Sequence, residues 1–316
     1  MGGATPDVSR RTLVTAALLG AVVAAASGVA WALAYPQSSL PVTLVRAVSD
    51  CAAVVCLGLA VVPMLDDERY RCELIGRATA PLTASGALWL VAELGRLIGT
   101  AAQTAAVPVW RLGLPTAVDF ARETAAGRAG MIGVVVAAAV CVVALAAPRT
   151  PPLNLVVAGL AAVGVTARLV TGHFFESALG GLAVAVHILA AALWCGALAG
   201  LVLTVRHRGQ WARVLPRFSQ LSLWCVLALL LGGVVGAGER LGSPAELYAT
   251  GYGRLLSAKI VVAAVLVLLG WRNRSIWVPA ARAHRSTAVV SRSRSLVELA
   301  VMAVALALAA GLAASG

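Results

Sequence analysis

Residues 180–204 read GGLAVAVHILAAALWCGALAGLVLT. Twenty-five positions pass without an Asp, Glu, Lys or Arg, and His187 is the one imidazole among them. A membrane-crossing helix needs about 20 mostly apolar residues, each rising 1.5 Å. This run meets that requirement on its own. A helix on a soluble core would carry a polar stripe on its outer face, and here no such stripe exists.

The same test applied outward along the chain finds eight more runs. The nine candidates are 13–34, 42–64, 79–100, 129–147, 153–171, 180–204, 219–238, 254–271 and 295–313. Proline, glycine or charge separates them, as at Pro36 and Pro41, Asp66-Asp67-Glu68, Pro148 to Pro152, Arg206 to Arg217, and Trp271 to Arg294. Across all 316 residues, 60% are hydrophobic and 12% charged, against about 45–50% and 25% in soluble domains. A soluble enzyme is excluded, and so is a disordered chain. The expected fold is an all-α polytopic membrane helix bundle of about nine transmembrane helices. Three segments are expected: residues 1–34 as an N-terminal helix, 35–150 as a first membrane half and 151–316 as a second.

The net charge of +12 comes from 25 Lys and Arg against 13 Asp and Glu. Lys259 is the single lysine. The basic residues sit between the apolar runs, where they set topology by the positive-inside rule; binding to nucleic acid is not expected. With the N-terminus cytoplasmic, 16 of the 25 fall on the inner side, from Arg10 and Arg11 to Arg292 and Arg294. The C-terminus is then outside. Ser9-Arg10-Arg11-Thr12-Leu13 resembles a twin-arginine signal, but about 22 apolar residues exceed the 7–15 of a signal core. A retained first helix is expected; cleavage would leave eight. The stretch from Thr100 to Arg128 holds Pro108, Trp110, Pro115 and Phe120, and reads equally as an interfacial segment or a plain outer loop.

Ionisable groups inside spans are costly and mark interiors, cavities or pathways. Arg46 and Asp50 lie in the second span, Glu93 and Arg96 in the third, Arg168 at the end of the fifth with His173 beyond it, His187 in the sixth, and Lys259 in the eighth. On the expected topology all of them lie toward the outer leaflet. Arg46 and Asp50 are spaced i,i+4, and Glu93 and Arg96 i,i+3, so each pair can neutralise locally. The other reading is an outward-facing polar site built from these spans. His187 and Cys195 share a helix face, with Trp194 beside them and Cys51 in the second span. Imidazole and thiolate are ligands suited to copper. The six cysteines show no CxxC and no disulfide framework. Gly196 and Gly200, and Gly232 and Gly236, form GxxxG faces that permit close helix approach, expected between the sixth and seventh spans. No Walker A, HExxH or nucleophile-elbow motif is present, so no catalytic activity is expected.

Residues 172–200 (GHFFESALGGLAVAVHILAAALWCGALAG), 217–223 (RFSQLSL), 250–274 (TGYGRLLSAKIVVAAVLVLLGWRNR) and 295–313 (SLVELAVMAVALALAAGLA) together resemble the CopD/PcoD copper-resistance family, including the membrane half of YcnJ-like proteins. The resemblance covers about residues 165–312, and 40–150 by pattern. It implies a multi-pass protein of the bacterial cytoplasmic membrane that moves or delivers copper, with an extracytoplasmic copper chaperone as a partner. Carried over by motif, it singles out His173, His187, Trp194, Gly196, Gly251, Tyr252, Gly253, Arg254 and Lys259. The family commonly reads WxGG where this chain has Trp194-Cys195-Gly196-Ala197. The expected metal ligands are His187, His173, Asp50, Glu93, Cys51 and Cys195. Arg46, Arg96, Arg168, Trp194, Tyr252, Arg254 and Lys259 surround them. Two alternatives stand beside copper transport. One is a redox protein holding haem b through His173 and His187. The other is a non-catalytic assembly subunit for copper enzymes.

Overall fold

The computed structural model describes residues 6–36, 39–146, 149–167, 178–240, 246–283 and 287–315. Among these the chain is almost wholly helical, with no strand. The helices are α1 (Pro6–Ala34), α2 (Leu40–Val61), α3 (Glu68–Thr104), α4 (Leu114–Glu123), α5 (Ala125–Ala146), α6 (Pro151–Thr166), α7 (Ala178–Thr204), α8 (Arg208–Arg240), α9 (Glu246–Ala249), α10 (Gly251–Arg272), α11 (Val278–Arg282) and α12 (Ala288–Ser315). A π-helical turn, Asn273–Trp277, joins α10 to α11. Backbone polar groups have no water to bond in a bilayer, so helices that satisfy themselves are the available solution for such a sequence.

Every expected span coincides with a helix where it is described, and seven helices are long and apolar enough to cross a membrane. Two of the nine expected spans fall short of that standard. Helix α6 is apolar but only 16 residues long. Helix α3 is 37 residues long, about 55 Å at 1.5 Å per residue, but too polar, and it outlasts a hydrocarbon core of about 30 Å. The protein is a multi-pass membrane helix bundle. Large apolar side chains on its outside, such as Leu145 at 73% and Val234 at 74% exposure, are what lipid-facing surfaces require.

Helix α2 is the centre. It touches α1, α3, α6, α7 and α12, and it is the most buried of the seven. Glycine fixes its closest neighbour. A Cβ on Gly58 would stand 1.7 Å from the Gly196 carbonyl oxygen, and one on Gly200 would stand 2.9 Å from the Gly58 oxygen. The Gly196–Gly200 face therefore meets α2, not α8 as expected. Gly232 does face α7, where a Cβ would lie 2.5 Å from the Ala183 oxygen. Because Gly196 opposes Val54 and Gly58 while Gly200 opposes Gly58 and Val62, α2 and α7 run parallel.

The segment after α3 turns at Ala106 (φ 53°) and enters α4. Trp110 and Leu114 are 85% and 77% exposed while Phe120 is buried. An exposed tryptophan at the end of a span suits the membrane interface.

The two ends of the bundle carry separate polar layers. At one end, Asp66, 1% exposed, accepts from Arg213 Nε at 2.8 Å and from its Nη2 at 3.0 Å. The Arg213 guanidinium also covers the Tyr70 ring at 3.9 Å. Arg217 donates to Asp67 Oδ1 at 2.6 Å, and Arg77 to Gln210 at 2.9 Å. Arg149 donates to Asn154 and to the Ile75 carbonyl, and burial pulls its pKa down to about 10. The Arg217 hydrogen bond holds the exposed Asp67 carboxyl below its ordinary range. A carboxyl whose pKa is depressed in the fold stabilises it above the ordinary carboxylate value, and that contribution is lost as pH falls from there through the lowered folded value. The thermal midpoint should therefore drop on acidification, and Asp67→Asn should lessen that drop. An unchanged pH profile in the variant contradicts this role.

Candidate polar site at the Asp50 end

The opposite layer gathers most of the ionisable residues singled out from sequence. Helix α2 begins here behind Ser39, and Thr43 Oγ1 donates to the Ser39 carbonyl at 3.1 Å. Arg46 and Asp50 follow on α2, but their Nε–Oδ2 separation is 3.9 Å. The stronger bond of Arg46 runs to the Ala313 carbonyl of α12 at 2.6 Å, which binds the end of the last span to the start of the second. Arg96 is the hub. Its Nη1 reaches Asp50 Oδ1 at 3.2 Å, Glu93 Oε1 at 3.3 Å and Ser49 Oγ at 3.4 Å. Ser49 in turn donates to Glu93 Oε1 at 2.5 Å. Glu93 and Arg96 are buried, with side chains 4% and 7% exposed. A Cβ on Gly133 of α5 would come within 2.8 Å of Glu93 Oε2, so a small residue there makes room for the carboxylate.

His187 lies on α7. Its Nδ1 is 2.7 Å from the Leu229 carbonyl oxygen of α8. A carbonyl can only accept, so Nδ1 carries the hydrogen and Nε2 of the neutral ring keeps its lone pair. Gly233 leaves the space that this ring fills: a Cβ there would lie 3.2 Å from Cε1. Lys259 of α10 is within electrostatic reach of the ring. The parallel α2–α7 crossing sets the depth. His187 lies nine residues before Gly196, about 13 Å along the helix. Asp50 lies four to eight residues before the α2 positions opposite Gly196, about 6–12 Å. Both therefore stand at a similar level on the same side of the crossing.

Deeper in, Cys195 is 6% exposed, within electrostatic reach of Cys51, Cys225 and Glu298. Cys51 packs against the cluster of Val23, Ala26, Ala47, Ala303, Ala307 and Ala310. The six cysteines are free thiols. Trp194 is 4% exposed, and its indole N–H is buried without a hydrogen-bond partner among the described residues. Thr250 caps α10 by accepting from Gly253 N at 2.9 Å. Arg254, in that first turn beside Tyr252, donates to the Leu33 carbonyl of α1 at 3.2 Å, an inter-helix tie. Arg168 and His173 lie outside the described residues.

The structure thus brings Arg46, Asp50, Glu93 and Arg96 together, with Lys259 within electrostatic reach of His187. Among the described residues, no three His, Cys, Asp or Glu side chains gather into a group that could hold a metal ion. Ser49 was missed by sequence reading. A serine in an apolar helix carries little signal alone, although its place next to Asp50 could have drawn attention.

Comparison with known families adds two matches. The model described as Copper resistance protein D-like, N-terminal domain, matches residues 37–175, and that described as Copper resistance protein D matches residues 212–312. Helix α7, with His187, Trp194 and Cys195, falls between the two matched stretches. No curated protein and no solved structure matches the chain. Two matches in the expected order, on a bundle with a polar layer at each end, make this chain a member of the copper resistance protein D family.

Proposed function

We propose that this copper-resistance membrane protein moves or delivers copper across the cytoplasmic membrane, receiving it at the Asp50 end and using His187 as a ligand. The observation that carries the reading is the Nδ1–Leu229 bond. Metal-ligating histidines usually donate their second ring N–H to a carbonyl or carboxylate, which fixes the ring and its tautomer. His187 has that arrangement before any ion is bound. Copper is the cargo here. His173, which precedes α7 in sequence, is the proposed point of entry, with an extracytoplasmic copper chaperone as a donor. Cys51 and Cys195 offer soft donors deeper in, suited to Cu(I). Asp50 and Glu93 offset the positive charge of Arg46, Arg96 and Lys259 at the mouth. The proposed orientation puts the N-terminus in the cytoplasm and the Asp50 end outside, in keeping with the arginine excess at the Asp66 end.

A second reading is a non-catalytic assembly subunit. It is favoured by the mutual hydrogen bonding of Ser49, Glu93 and Arg96, which makes that cluster a structural tie. Metal analysis with an absorption spectrum separates the readings. Purified protein loaded under reducing conditions should hold copper near one ion per chain, with no Soret band, and His187→Ala should lose it. Unchanged copper in the variant overturns His187 as ligand. A Soret band moves the assignment to haem b, and neither signal favours the assembly subunit.

A further inference from the structure

At the end opposite Asp50, α10 finishes, the π-turn begins and α12 starts. A cavity of about 210 Å³ opens between them. Arg272 of α10 and Arg294 of α12 line it from two sides. Neither guanidinium makes an ion pair with a described residue. Glu298 is also in the wall, but it is 3% exposed and its Oε2 accepts from Asn273 Nδ2 at 2.6 Å. The accessible charge is therefore that of the arginines. Asn273 and Ser293 add neutral polar groups to the wall, and its apolar side chains Ile276 and Val297 face outward, 56% and 57% exposed. Trp271, next to Arg272, is 70% exposed, as befits a side chain at the headgroup level.

We propose that this cavity is a binding site for an anionic phospholipid, its phosphate between Arg272 and Arg294 and its acyl chain along Ile276 and Val297. Free phosphate would use the arginines and leave the exposed apolar wall without a role. A lipid uses both, and basic pockets between spanning helices bind acidic headgroups. None of the proposed copper ligands lines the cavity, and the proposal stands whether or not copper passes through the bundle.

The test uses the full chain in detergent, titrated with phosphatidylglycerol or phosphatidylcholine and read by native mass spectrometry. Wild type should retain phosphatidylglycerol in preference to phosphatidylcholine. A basic side chain near an anionic surface contributes about 1 kcal/mol, and 1.4 kcal/mol is tenfold. Arg272→Gln and Arg294→Gln should each weaken phosphatidylglycerol binding about 5-fold, and together about 30-fold. The single variants keep the test valid if the double variant fails to fold. Arg272→Lys with Arg294→Lys should keep most of the affinity. Arg274→Gln with Arg282→Gln, which changes the neighbouring cavity, should leave this binding unaltered. Unchanged phosphatidylglycerol retention in the glutamine variants overturns the proposal. So does equal retention of phosphatidylcholine by wild type, or displacement of the lipid by millimolar inorganic phosphate.

Discussion

Arg96→Leu should cost the bundle about 3–5 kcal/mol, the range for removing one partner of a buried ion pair. The loss comes less from the bonds themselves than from what remains. Glu93, with a side chain 4% exposed, would keep the Ser49 hydroxyl but lose the Arg96 charge at 3.3 Å. Asp50 would keep Arg46 at 3.9 Å. Isosteric replacement of a whole buried pair by apolar side chains is often close to neutral. Arg96→Leu combined with Glu93→Met should therefore recover most of the lost stability. Denaturant unfolding of the four proteins in detergent measures the cycle. A double variant as unstable as the sum of the singles contradicts this account of the cluster.

Gly58→Ala is the second large effect, and two terms compete in it. Alanine in a helix interior is favoured over glycine by roughly 0.5–1 kcal/mol. Against this, the new methyl would lie 1.7 Å from the Gly196 oxygen and 2.6 Å from its Cα. Those atoms are backbone, so α2 and α7 must separate along the central crossing. Overpacking typically costs 1–3 kcal/mol and occasionally more; a backbone clash belongs at the top of that range. The clash wins, with a net loss of about 2 kcal/mol or more. Gly28→Ala, where nothing lies within 4 Å, should show only the favourable term. Equal thermal midpoints for the two variants would show that the crossing is looser than described.

Residues 180–204 were legible as a spanning helix because their apolarity needs no neighbour to interpret it. Membership of the copper-resistance family was legible in the motifs around Gly251–Arg254 and Glu298. The charges of Arg46, Asp50, Glu93 and Arg96 were legible too, but only as pairs along one helix. The bond from Arg96 to Asp50 crosses helices 46 residues apart, and helical spacing says nothing about which faces meet. The same gap explains Gly196 and Gly200. Their small face was evident, its partner was not, since α7 touches both α2 and α8. At the other end, Asp66 and Arg213 read as loop charges. Their pairing spans 147 residues and buries Asp66. His187 stood out as an imidazole in an apolar run, and its tautomer became readable only once the Leu229 carbonyl lay beside it.

The most direct test of the central claim is copper entry into vesicles. Purified protein is reconstituted into liposomes that hold a Cu(I) chelator with a spectroscopic signal. Cu(I) is then added outside under reducing conditions. The account predicts chelator signal above that of protein-free vesicles for wild type, falling to the protein-free level with His187→Ala. A wild-type signal no higher than the empty vesicles, or a His187→Ala signal equal to wild type, would contradict it.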